Sequence, residues 1–215
     1  MKTVVCLAAL AAVAGVASAQ LSITETYIGI DGEDGTEDWF EVTNVGAAAI
    51  DTGNFFYDDV NPTLANAGQL DSFVLNPGES AVFLIASNPT TLAQFASVWG
   101  AVGNVGLTNG GGGLGQGGDE VNLLDAGGVV VDALIYGAPL SSGTFTIERL
   151  GGGSPTLSAL GVNGAYESNV FTNTTLGTAP NFEWTLVGSP GVVPAPASAA
   201  LLALGGLVGV RRRRA

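Results

Sequence analysis

The chain has no histidine and one cysteine, Cys6. Without histidine it lacks the usual neutral-pH general base and the commonest zinc ligand. Cys6 lies in an N-terminal apolar run, so a chain processed after that run has no thiol and forms no disulfide. Charge is sparse too, at 12% of residues, about half the globular average. Basic charge is scarcest. Lys2 and Arg211 to Arg214 sit at the two ends and Arg149 stands alone between them, against 19 acidic residues that all fall between Glu25 and Glu183. A body this acidic repels phosphate backbones and excludes nucleic acid as a partner. It favours cations and resists self-association, and it also serves as a solubilising exterior. What is abundant is glycine, 33 residues, and apolar side chains, 47%. In 215 residues this composition fits one sheet-and-turn domain with tails.

Residues 1–19 read as a secretory signal. Lys2 gives the positive start, Val4 to Val16 is uncharged and apolar, and Ala17-Ser18-Ala19 is a small-x-small cleavage site, which places the mature start at Gln20 and makes signal peptidase a partner. Residues 189–196 form a linker that ends in Pro194-Ala195-Pro196. Residues 197–215 hold an apolar run, Ala197 to Val210, then Arg211-Arg212-Arg213-Arg214. At about 1.5 Å per helical residue the run falls short of a bilayer core of about 30 Å. The arginines favour a cytoplasmic end. A short apolar run with a basic stop suits a transient inner-membrane anchor. The tail resembles the PEP-CTERM sorting signal of Gram-negative bacteria, in which Pro-Glu-Pro precedes an apolar helix and an arginine cluster. Here Ala195 stands in place of the family's Glu. The resemblance implies recognition by an exosortase, a membrane-embedded cysteine transpeptidase, and export to the outer membrane, cell surface or extracellular matrix.

Residues 20–188 read as short strands with turn punctuation and no repeat of 20 to 50 residues. Ile23, Glu25, Tyr27 and Gly29 alternate with Ser22, Thr24, Thr26 and Ile28 as in a strand. Trp39 to Val45, Asn54 to Tyr57, Ser72 to Leu75 and Glu79 to Ala86 follow as strands, with Asn76-Pro77-Gly78 as a turn. One helix is predicted over Thr90 to Trp99: Asn88 caps it, Pro89 opens it, Leu92, Phe95, Ala96 and Trp99 share a face, and Gly100 closes it. Gly110 to Gly118 is read as a mobile loop that packs no core. It lacks the lysine and following helix of a phosphate cradle. Glu120 to Asp125 and Val129 to Tyr136 form a hairpin around Ala126-Gly127-Gly128. Phe145 to Leu150 and Phe182 to Val187 complete the set, separated by an irregular excursion, Gly151 to Ala179. The sum predicts an all-β sandwich with one short helix.

Several of these segments, in order, resemble the lamin-tail domain, an immunoglobulin-like β-sandwich. Leu21 to Glu25 is similar to its opening strand. Trp39 to Gly46 is similar to "W-x-E-x-x-N-x-G", Phe73 to Glu79 to "L-x-P-G-E", and Leu107 to Asn109 with Gly118 to Leu123 to "L-x-N-x-G-D-x-V-x-L" carrying a glycine insertion. Asp125 to Tyr136 is similar to "D-x-x-G-x-x-V-D-x-x-x-Y", and Ser189-Pro190-Gly191 to the closing "T-P-G". After Asp51-Thr52-Gly53 the family's Trp is replaced by Asn54-Phe55. The resemblance implies a binding or scaffolding module and no catalytic activity.

Among residues able to carry chemistry, the loop Asp31, Glu33, Asp34, Glu37, Asp38 is the candidate cation site. Calcium takes six to eight oxygens from clustered carboxylates and carbonyls, and Asp58-Asp59 are possible added ligands. The spacing is not that of an EF-hand, and a solvated acidic loop accounts for the same residues. Carboxylates are plentiful, yet nothing in the sequence marks two of them as buried partners, and no histidine activates the serines and threonines. Arg149 reads as a core-edge salt bridge to Glu148 or another carboxylate. Asn173-Thr174-Thr175 matches a glycosylation acceptor, a pattern that arises easily by chance. The expectation is a non-catalytic exported protein with no cofactor, structural or adhesive. The alternative is a calcium-dependent module binding glycans such as surface polysaccharide.

Overall fold

The structure is a computed structural model and describes residues 20–29, 36–140, 144–172 and 183–192. Its frame is a six-stranded sheet. β1 (Leu21–Tyr27) and β2 (Trp39–Asn44) lie antiparallel at its centre. β3 (Phe55–Asp58) belongs to the facing sheet, and β4 (Ser80–Ile85) pairs with β2. Helix α1 (Thr90–Trp99) then crosses to β5 (Asn104–Thr108), which runs parallel to β4. β6 (Gly118–Asp125) and β7 (Val130–Gly137) form the predicted hairpin. β8 (Ile147–Glu148) pairs with the outer side of β1, and Thr156–Leu157 with β8. The facing sheet has the order β7, β6, β3 and the two-residue strand Gly68–Gln69. The predicted all-β sandwich with one short helix is what the described residues form.

Two cores follow from strand alternation, which sends successive side chains to opposite faces. Phe40 and Val42 of β2, Ala81 and Phe83 of β4, and Ile147 of β8 point toward Tyr57, Val121, Leu123, Leu134 and Tyr136 of the facing sheet. Trp39, Val82 and Leu84 point the other way, under Phe95, Val98 and Trp99 of α1. The helix carries no charge and lies flat on this outer face. Trp39 meets Phe95 and Trp99 edge-on, each at 5.9 Å between ring centres. Asn88 Oδ1 accepts the Thr90 amide at 3.1 Å, and the Gly100 amide returns to the Ala96 carbonyl at 3.0 Å. These contacts are the start and stop that the sequence predicts.

β1 departs from its expected alternation. Its register against β2 shifts between Ile23, opposite Val42, and Glu25, opposite Glu41. A bulge of this kind inserts one residue and changes which face the strand presents. Leu21 and Ile23 therefore enter the sandwich core, whereas Tyr27 joins the outer cluster under α1.

The glycine-rich segment also differs from expectation. It is held at many points and contributes to the core. Leu114 is buried among Phe40, Tyr57 and Tyr136. Its amide donates to Asp38 Oδ2 at 2.9 Å, the Gly115 amide donates to Asp119 Oδ2 at 2.7 Å, and Tyr136 Oη donates to the Gly115 carbonyl at 2.9 Å. The glycines let backbone approach Tyr57 and Asp59 where a side chain has no room.

Candidate functional site

The acidic loop named from sequence is divided. Asp31, Glu33 and Asp34 lie outside the described residues. Glu37 is exposed. Asp38 is half-buried and used twice by the fold: Oδ1 accepts the Gly29 amide at 2.7 Å and Oδ2 the Leu114 amide. Asp58 is buried and accepts the Thr63 amide at 2.9 Å, and Asp59 Oδ1 accepts the Val60 amide at 2.6 Å. Among the described residues no three acidic, histidine or cysteine side chains come together as a metal-holding group. The carboxylates near Tyr57 and Tyr136 leave an electrostatic trace. Burial first, then Asp59, Asp119 and Asp38, pushes the Tyr57 hydroxyl far above its ordinary value; burial, Asp119 and Asp38 do the same to Tyr136.

Gln20, the expected mature start, is the first described residue, and its carbonyl accepts the Val45 amide at 2.9 Å. Ala19, Pro194, Ala195, Pro196 and Arg211 to Arg214 lie outside the described residues, as does the Asn173 acceptor pattern. Among the described residues no helix is long and apolar enough to cross a membrane.

The densest group of ionisable side chains is one the sequence reading did not mark. Glu25, Glu41 and Glu148 stand in a row across β2, β1 and β8: Glu25 is opposite Glu41 on one side and Glu148 on the other. Glu25 and Glu41 are 1% and 2% exposed, so two carboxylates are indeed buried partners. The Glu25 carboxyl accepts from Thr146 Oγ1, from the Ser189 amide at 2.8 Å and from Ser189 Oγ at 3.0 Å. Glu41 accepts from Thr24 Oγ1 at 2.6 Å and from the Gly191 amide at 2.6 Å. A hydroxyl chain continues from Thr24 to Thr43 (3.0 Å) and Ser80 (2.7 Å). Glu148 accepts from Asn163 Nδ2 at 3.1 Å. Among the described residues no basic side chain pairs with this row.

Removal from water penalises the charged form of a carboxyl, and a neighbouring carboxylate adds to the penalty. Burial is the main reason Glu25 is pushed up to about 7, with Glu148 adding a little and the Thr146 and Ser189 hydrogen bonds opposing. Burial and then the Glu25 charge push Glu41 up to about 8, against the bonds from Thr24, Gly191 and Ser80. Such a pair loses its protons in two coupled steps. One sequence signal points to Glu41, which falls between Trp39 and Thr43 and so occupies a strand position flanked at two residues by large or β-branched side chains; the place of Glu25 is decided by the bulge.

Arg149 lies on the opposite face from Glu148, as strand neighbours must. It forms its ion pair with Asp132 of β7 instead. Nη1 donates to the Ala133 carbonyl at 2.8 Å and Nη2 to the Ile23 carbonyl at 3.0 Å. Asp132 in turn accepts the Ile23 amide at 2.7 Å. One arginine thus ties the bulge of β1 to the edge of the facing sheet.

No protein-family model matches the chain, and no curated protein matches it in sequence.

Proposed function

We propose that this chain is a non-catalytic structural or adhesive protein, exported by its N-terminal signal and delivered to the envelope, cell surface or extracellular matrix through its PEP-CTERM-like tail, with an immunoglobulin-like, lamin-tail-type body. One observation supports the scaffolding reading above others: the polar residues of the motifs are consumed by the fold's own backbone. Asn44 Nδ2 donates to the Ala48 carbonyl at 2.8 Å and to the Leu75 carbonyl at 2.9 Å, and its Oδ1 accepts the Gly46 amide at 3.0 Å. Gly78 of the Pro-Gly-Glu turn donates its amide to the Asn44 carbonyl at 2.8 Å. Asp125 Oδ1 accepts the Gly127 and Val129 amides at 2.8 and 2.9 Å and so shapes the hairpin turn. Side chains spent in this way set backbone geometry and are not poised for reaction.

The test is the intact mass of the mature protein recovered from the producing cell. A species beginning at Gln20 and ending near Pro194 is expected. A surface species that keeps Arg211 to Arg214 replaces the sorting reading with a plain membrane anchor. Deleting residues 197–215 should leave the sandwich folded and release it as a soluble form.

A further inference from the structure

The last described segment, Ser189–Val192, crosses the outer face of the six-stranded sheet directly above Glu25 and Glu41. Up to Gly188 it is held by backbone pairing: the Val187 amide donates to the Thr144 carbonyl at 2.9 Å, and Gly188 is paired with Tyr166. Beyond Gly188 its hydrogen bonds to the rest of the domain run to two carboxyls, Glu25 from the Ser189 amide and hydroxyl, and Glu41 from the Gly191 amide. The segment sits tightly. A Cβ at Gly188 would lie 2.7 Å from Thr146 Oγ1 and 2.9 Å from Glu25 Oε1. Ser189 and Pro190 are buried, whereas Val192 is exposed.

We propose that Glu25 and Glu41 form a proton-dependent clasp, which holds the Ser189–Gly191 strap against the sheet while the pair retains a proton and releases it when both carboxyls are ionised. The strap amides by themselves favour the ionised carboxyls, and the coupling follows because burial beneath the strap outweighs them. Two adjacent carboxylates under one cover repel each other, and among the described residues their neighbours offer no countercharge. From β8 comes a third acid, Glu148. From the segment carrying Tyr166 comes a phenol, itself pushed up to about 12 by burial and by Glu25 and Glu41. From β2, β4 and the 146–158 region come the hydroxyls of Thr43, Ser80, Thr146 and Ser158. α1 carries no charged residue. Arg149 is committed to Asp132 on the other face. With no cation among the described residues to recruit, the doubly charged pair gains most from water, and the strap is the cover that bars it.

Either acid can be exchanged for its neutral amide without loss of the bonds to the strap. Glu41 accepts one strap amide at Oε2 and meets the Thr24 hydroxyl at Oε1, an arrangement a neutral amide reproduces. Glu25 takes the Ser189 amide and the Thr146 hydroxyl at Oε1 and the Ser189 hydroxyl at Oε2, and a glutamine reproduces this as well, because its Nε2 can donate to the Ser189 hydroxyl oxygen. Hydrogen–deuterium exchange of the full chain, followed in peptides covering 186–192 and 39–44 and corrected for intrinsic rates, reads the clasp. Between about pH 6 and about pH 9 the strap peptide of the unsubstituted chain should lose protection at least about tenfold relative to the β2 peptide. Glu41→Gln should keep the strap protected at the higher pH, and Glu25→Gln should do the same, since each removes one of the two charges and keeps the bonds to the strap. Equal wild-type protection at both pH values, or a Glu41→Gln strap that opens in parallel with wild type, overturns the proposal. Infrared spectra of the unsubstituted chain give a reading that needs no variant. A protonated-carboxyl band present at about pH 6 and gone by about pH 9 supports the clasp, and its absence at the lower pH overturns it.

Discussion

Arg149 and Asp132 join the two sheets at one edge: the arginine that follows the strand flanking β1 reaches across to a carboxylate on β7, and both are tied to the backbone at Ile23. The pair is mostly buried, at 10% and 20% side-chain exposure, and the arginine also satisfies carbonyls of Ile23 and Ala133. Breaking such a pair strands a desolvated acceptor set. Arg149→Ala should cost about 2–4 kcal/mol of unfolding free energy. Arg149→Lys should recover little, because a compact ammonium lacks the planar fork whose Nε, Nη1 and Nη2 reach the separated acceptors at Ile23, Ala133 and Asp132. Urea unfolding of the two variants checks this, and a lysine variant as stable as wild type would show that charge alone matters there.

Glu25 and Glu41 set the pH dependence of stability. Both lie above their ordinary value of 4.5 when folded, so the folded state binds their protons more tightly than the unfolded chain does. Their contribution is greatest below about pH 4.5 and is lost as pH rises through about 7 to 8. With no histidine in the chain, few other side chains change charge in that window. The melting temperature should therefore fall by about 5–15 °C between about pH 5 and about pH 9, corresponding to about 2–4 kcal/mol. Glu41→Gln should flatten the fall. A melting temperature that is constant or rises over this range would contradict the buried pair.

Much of the sandwich is legible in the sequence because local chemistry and the final fold agree there. Trp39 to Asn44 and Ser80 to Ile85 carry dense apolar patterning, Asn88 and Gly100 bracket one amphipathic turn set, and Asp125 to Val129 has the residues its turn requires. What is not legible depends on contacts distant in sequence. Asn104–Thr108 is not among the predicted strands, yet it pairs in parallel with β4. Gly106 suits the site, where a Cβ would lie 2.8 Å from both Asp71 Cβ and Phe73 Cε2. The carboxylate row is hidden for a similar reason. Plain alternation puts Glu25 on the Ile23 face, and the bulge that moves it beneath the strap is visible only in pairing.

Leu114 tests whether the glycine segment is a structural plug. A loop without a packing role tolerates truncation of its side chain, whereas Leu114 is 7% exposed in the main core. Leu114→Ala should destabilise the domain by about 2–4 kcal/mol, the usual range for a buried leucine cavity. Thermal unfolding measures it, and a change within about 0.5 kcal/mol would return the segment to the class of mobile linkers.

Asp38 separates a structural role from a metal-binding one within the acidic loop. Both of its carboxylate oxygens accept backbone amides, from Gly29 and Leu114, which are far apart in sequence. Asparagine keeps one acceptor and presents a donor to the other amide, so Asp38→Asn should cost about 1–3 kcal/mol. If that cost is structural, it should be the same with calcium and with chelator. A calcium site places its signature elsewhere: the ion should raise the melting temperature by linkage, and replacing Asp31, Glu33 and Asp34 by their amides should remove the rise. The expected outcome is a calcium shift below about 2 °C in the unsubstituted chain and an Asp38→Asn loss unaffected by the ion. A rise of several degrees that disappears in the triple variant would establish the loop as a cation site and favour the calcium-dependent binding module over the plain scaffold.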